Sequence, residues 1–192
     1  MKKNKRNIVV LFPGLGYTCD RSLLYYTGKL LQKQGYELIR LSYGGFPMIE
    51  KGEEAEIRQC VAIALEQTEA QLKDVDFDAY DDVVFAGKSI GTVVALQYAQ
   101  NRGVDARFVL LTPLEQTFEE DDIGQAIAFH GTADPWARTD AIISACKNRT
   151  IPLHLTEGAN HSLETGDVGK DIDNLRQVME QIQKFAGGDV ID

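Results

Sequence analysis

Ser89 lies in Gly87-Lys88-Ser89-Ile90-Gly91, and its neighbours decide what its hydroxyl can do. A serine hydroxyl is a weak nucleophile until a base takes its proton and an acid orients that base. The apolar run Val83-Val84-Phe85-Ala86 leads straight into the motif, and Thr92 to Tyr98 behind it reads as helix. A sharp strand-to-helix turn exposes the hydroxyl and points the Ile90 amide at developing negative charge. Flanking glycines let the helix pack close to the strand. The five-residue pattern arises by chance in roughly a few per cent of chains this long, so the context carries the weight. Two other readings compete. Ser89 as a plain helix N-cap fits the turn but not the company described next. A phosphate loop ending in G-K-S needs a glycine five positions before Gly87, where Asp82 stands.

The base must be one of three histidines. His161 follows the apolar segment Ile151 to Thr156 in the loop Glu157-Gly158-Ala159-Asn160-His161-Ser162, at the carboxyl end of a strand. His154 sits inside that segment, so its side chain points to a sheet face. His130 closes an earlier strand and precedes the candidate acid, which suits a structural role better. The acid is Asp134, in His130-Gly131-Thr132-Ala133-Asp134-Pro135, where Pro135 stiffens the turn. Asp140 and Asp167 are the fallback acids; an N-cap is the alternative role for Asp134. Nucleophile, acid and base then follow one another in the order Ser, Asp, His. The oxyanion needs two amides. Phe12-Pro13-Gly14-Leu15-Gly16 ends the first apolar run, and the amide of Leu15 pairs with that of Ile90. The same glycines open a G-x-G-x-x-G dinucleotide pattern, but Cys19 holds the sixth position and no acid ends the second strand. Tyr17, Tyr43 and Trp136 lie in neighbouring loops as candidate walls of a substrate pocket.

Strands and helices that alternate throughout must position these groups. Continuous apolar runs predict strands at Ile8 to Phe12, Tyr36 to Ser42, Asp82 to Ala86, Ala106 to Leu111, Ala126 to His130 and Ile151 to Thr156. Helical spacing predicts helices at Asp20 to Gln34, Glu53 to Lys73, Ser89 to Asn101, Thr139 to Lys147 and Asp171 to Ala186. Such alternation gives a mostly parallel sheet with helices on both faces and ligand sites at the strands' carboxyl ends. Two irregular connections leave those ends, Tyr43 to Gly52 and Thr112 to Gln125.

The 192 residues suit one α/β domain spanning the chain, with 44% hydrophobic and 26% charged residues as in ordinary folded proteins. A net charge of −9 with no basic stripe argues against nucleic acid. No apolar run approaches the roughly 20 residues of a membrane span, and the basic start before Ile8 is read as a solvated lead-in rather than a signal peptide. Cys19, Cys60 and Cys146 form no disulfide pattern, which points to the cytoplasm.

Taken in order, the Pro13 to Gly16 turn, the Gly87 to Gly91 elbow, the Gly131 to Asp134 turn and the Asn160-His161 loop resemble the α/β-hydrolase superfamily over nearly the whole chain. The short length and missing lid are similar to its compact bacterial members, including the retinoblastoma-binding-protein-like serine hydrolases. That resemblance implies a six-stranded sheet in the order 2-1-3-4-5-6 and no substantial lid. It implies a carboxylesterase or thioesterase working on a small acyl substrate through Ser89, His161 and Asp134, without cofactor or metal. Pro13 and Lys88 depart from the pattern, since relatives often carry histidine at both places. A non-catalytic binding protein of the same fold, or an enzyme acting on another bond, stays open.

Overall fold

The computed structural model describes residues 5–47, 54–119 and 123–187. The predicted helix start at Glu53, the second half of the Tyr43 to Gly52 connection, and residues 120–122 lie outside them. Strands β1 (Asn7–Phe12), β2 (Tyr36–Arg40), β3 (Asp82–Lys88), β4 (Arg107–Leu111), β5 (Ala126–Gly131) and β6 (Leu153–Thr156) alternate with helices α1 (Ser22–Lys33), α2 (Glu54–Leu72), α3 (Ile90–Arg102), α4 (Thr139–Asn148) and α5 (Val168–Phe185). The strands form one sheet in the order β2-β1-β3-β4-β5-β6, and every neighbouring pair is parallel.

Alternation along each strand builds two cores. Ile8, Val10, Phe12, Val83, Phe85 and Leu110 pack with residues of α2, α3 and α4. Val9, Leu11, Val84, Ala86, Leu111 and Phe129 pack with residues of α1 and α5. Each fully buried Val, Leu or Ile stabilises the fold by about 1.5–3 kcal/mol. Cys60 and Cys146 are buried within these layers as unpaired thiols, as is Cys19. Among the described residues no helix is long and apolar enough to cross a membrane.

The differences from the sequence expectation are at element ends. Helix α5 starts at Val168 rather than Asp171, because the Asp167 side chain accepts hydrogen bonds from the Gly169 and Lys170 amides. Helix α1 starts two residues late: Tyr17 Oη accepts from the Leu23 amide at 3.0 Å, and Asp20 pairs with Arg40 instead. Strand β6 is shorter by the residues before Leu153, though the Pro152 carbonyl still accepts from the Ala128 amide.

The connection after β4 carries no lid in its described part. Glu115–Phe118 forms a short 3-10 turn. It is stapled onto α3 by Thr117, whose hydroxyl lies 2.6 Å from Thr92 Oγ1. Leu114 and Phe118 are buried beneath it, and Arg149 donates to the Phe118 carbonyl.

Candidate active site

Ser89 sits between β3 and α3 with φ 56° and ψ −123°, the strained geometry of an elbow. Its amide donates to the Leu111 carbonyl at 3.1 Å, which fixes the turn to β4. The turn is possible because Gly91 has no side chain: a Cβ there would lie 2.2 Å from the Phe12 carbonyl oxygen. Backbone packing of this closeness sets the start of α3 against the end of β1.

His161 and Asp134 reach Ser89 from two other strand ends. Nε2 of His161 is 2.8 Å from Ser89 Oγ, and its Nδ1 is 2.6 Å from Asp134 Oδ2. The loops that carry them are pinned together. The Ala133 amide donates to the Ala159 carbonyl and the Thr132 amide to the Thr156 carbonyl. A Cβ on Gly131 would fall 2.3 Å from the Ala159 oxygen. Asn160 Oδ1 accepts from the Ser162 and Glu164 amides. Leu163 turns the loop back at φ 59° and buries its side chain. The other oxygen of Asp134 accepts from the Trp136 amide at 2.8 Å.

Electrostatics suit a neutral base beside an ionised acid. Burial pushes the Asp134 carboxyl up, but the hydrogen bond and charge of His161, with the Trp136 amide, outweigh it and hold the group below its usual range. His161 is held below the ordinary histidine value, chiefly by burial; the bond to Asp134 opposes this and the charge of Lys88 adds to it. With Nδ1–H donated to Asp134, Nε2 is left as the acceptor for the serine proton.

The Leu15 and Ile90 amides are bonded to no other acceptor among the described residues. The Leu15 turn is closed by paired bonds between Gly14 and Tyr17, and a Cβ on Gly14 would stand 3.1 Å from Ser89 Cβ. Beside this turn opens a cavity of about 520 Å³ walled by Leu41, Tyr43 and Phe46, with Cys19 and Arg40 also lining it. Cavities of about 540 and 720 Å³ open among Asp82, Arg107 and Gln125 at the amino edge of the sheet, so volume does not mark the site and the triad geometry does.

The three aromatic candidates separate. The Trp136 ring lies 6.0 Å from that of His161. Tyr43 lines the cavity with its hydroxyl 2.8 Å from Thr68. Tyr17 instead faces Lys88, whose Nζ is 4.9 Å from its ring centre. The histidine expected to be structural, His130, is buried with Nε2 3.0 Å from Thr139 Oγ1 and Nδ1 3.8 Å from Asp134 Oδ2. His154 stacks on Phe129 and stays clear of the site. Asp167 caps α5, and Asp140 bonds the amide of its own neighbour Ala141. Lys88 and Phe46 were not singled out from sequence as site residues. For Lys88 the signal exists: strand alternation puts it on the face of Val84 and Ala86, where a charge is out of place.

Comparison with known proteins agrees with this architecture. No curated protein matches the sequence. A protein of unknown function from Agrobacterium tumefaciens, described as an α/β-hydrolase, shares the fold at 18% identity and a TM-score of 0.65, covering 100% of this chain and 90% of that one. A serine hydrolase without a lid from Xanthomonas campestris does so at 15% and 0.57, covering 94% and 81%. Est1E from Butyrivibrio proteoclasticus does so at 13% and 0.66, covering 97% and 90%. A family model described as an alpha/beta hydrolase domain matches residues 5–187, and on that near-complete match the chain belongs to the α/β-hydrolase family.

Proposed function

We propose that this protein is a serine hydrolase that cleaves esters or thioesters of small acyl groups through an acyl-enzyme. The observation that carries it is the hydrogen-bonded series Ser89, His161, Asp134. Ser89 Oγ attacks the carbonyl carbon while its proton passes to His161 Nε2. The Leu15 and Ile90 amides bind the oxyanion, and Asp134 stabilises the imidazolium. His161 then gives its proton to the departing alcohol or thiol. Water, deprotonated by the same ring, releases the acid and restores Ser89.

The cavity beside Gly14, with Tyr43 and Phe46 in its wall, is the place we assign to the acyl group, and Trp136 flanks the leaving-group side at His161. A cytoplasmic setting, a small-molecule substrate and independence of nucleic acid, membrane and cofactor belong to the same proposal.

A fluorophosphonate probe should label Ser89, and Ser89→Ala should abolish labelling and lower p-nitrophenyl ester hydrolysis by about 10³-fold or more. Normal ester hydrolysis by the alanine variant would sink the proposal.

A further inference from the structure

The carboxylate of Asp134 is met at both oxygens. Oδ1 accepts from the Trp136 amide at 2.8 Å. Oδ2 has two imidazole nitrogens near it, Nδ1 of His161 at 2.6 Å and Nδ1 of His130 at 3.8 Å. The first is the triad bond. The second belongs to a ring wholly buried near the end of β5. Phenylalanine would fill that space without ring nitrogens to satisfy, so a histidine there calls for a use.

The contacts of His130 decide which nitrogen carries its proton. Burial holds the ring below the ordinary histidine value, against the pull of the Asp134 charge, so at neutral pH it has one proton for two nitrogens. Nε2 lies 3.0 Å from Thr139 Oγ1, at the start of α4. A hydroxyl can donate or accept, so this contact alone suits either tautomer. The hydroxyl proton can go to Nε2 at 3.0 Å or to the Thr132 carbonyl at 3.5 Å, and the shorter contact is the better bond. Nδ1 has no hydrogen-bond partner among the described residues and stands 3.8 Å from the carboxylate. A bare lone pair there is repelled by the negative charge, whereas an N–H is attracted to it. Both contacts therefore put the proton on Nδ1.

We propose that His130 is a positioning residue of the triad: its Nδ1–H, set beside Asp134 Oδ2, keeps that carboxylate ionised and fixed for His161. For its effect on rate this rests on the serine-hydrolase reading. While His161 holds the serine's proton, its ion pair with Asp134 lasts only if the acid does not take that proton. A second N–H dipole near Oδ2 stabilises the charged acid. It does not compete for the triad bond, because a contact of 3.8 Å cannot replace one of 2.6 Å.

Nitrogen NMR of the unchanged protein with labelled histidine should show His130 neutral and protonated on Nδ1. A proton on Nε2 instead overturns the proposal. Two variants then separate positioning from packing. His130→Gln keeps a polar group for Thr139 but removes the donor beside Asp134, whereas His130→Asn puts an amide nitrogen about where Nδ1 stood. With p-nitrophenyl acetate, His130→Gln should lower kcat about ten-fold at unchanged KM, and His130→Asn should recover most of that loss. Folded variants that lose activity equally, or a glutamine variant as active as the unchanged protein, overturn the proposal and leave His130 a packing residue. The His161 Nδ1 proton should also exchange with water faster in the glutamine variant than in the asparagine one. If the unchanged protein hydrolyses no ester, the hydrolase reading fails by itself, and the tautomer and this exchange decide the proposal.

Discussion

At the scale of single residues, the site joins an ionised acid to a base kept neutral. Asp134→Asn removes the charge that orients the ring and stabilises its protonated form. It should lower kcat for an ester by about 10⁴-fold with little change in the melting curve. In the proposed mechanism His161 acts as the free base, and that sets the expected pH dependence. Its value in the folded protein is held down, so esterase activity should persist below the ordinary histidine value of about 6.5 and be lost as pH falls through the depressed one, as a pH–rate profile of kcat/KM will report. Lys88 adds a signature in stability. Below about 7 the folded and unfolded chains both carry its proton, and the full penalty of the buried charge applies. From about 7 to about 10 the folded protein alone gives the proton up, and the penalty fades. The stabilisation by Lys88→Met should accordingly be largest near pH 6 and smaller at pH 9, as thermal melts at the two values will report. The site residues differ in how far they could be read beforehand. Ser89, Asp134 and His161 were legible because each follows an apolar run that ends in turn residues. The approach of His130 to the same Asp134 oxygen that faces His161 was not, because it depends on how the turn after β5 folds back over the strand.

Elements make contact at the site through backbone, and this is where glycine matters. Gly131→Ala would press a methyl group onto the Ala159 carbonyl and push the His161 loop away from Ser89. We expect a loss of roughly 1–3 kcal/mol of stability and a larger fractional loss of kcat. Gly91→Ala should behave alike through the Phe12 carbonyl. Gly169→Ala is the control: its new Cβ would come no closer than 3.4 Å to the Asp167 side chain. In the first turn of α5 it should leave activity unchanged and add up to about 1 kcal/mol. Melting temperatures and kcat on the three variants separate these outcomes. The glycines' presence was visible in the sequence, but their partners were not, since Gly131 and Ala159 meet only when β5 and β6 pair. Helix starts were misplaced for a similar reason. Apolar spacing locates the buried stripe, whereas α5 begins where Asp167 caps it, ahead of the exposed Val168 and Ile172.

For the whole molecule, the sheet order divides labour between its two edges. Turns at the carboxyl edge carry the triad, and the amino edge carries an ionic knot. There Arg107 bonds Asp82, the Tyr36 hydroxyl and the Phe185 carbonyl, tying β2, β3 and β4 to the end of α5. Arg107→Met should destabilise by about 1–3 kcal/mol, since it leaves Asp82 and a part-buried carbonyl with fewer partners. It should leave kcat on esters unchanged, which a chemical melt and a rate assay on the same sample will show. The parallel architecture was legible from the six apolar runs and the helices between them, while the strand order came from the likeness of the motifs to a known superfamily. The stapled turn between β4 and β5 carries a different consequence. Its ends are anchored in adjacent strands, so the distance a longer insertion must span is already set. Doubling the length of such a loop costs only about 0.6 kcal/mol of chain entropy. The Thr92–Thr117 staple thus marks a seam where a cap could be grafted onto this fold without disturbing the sheet beneath it.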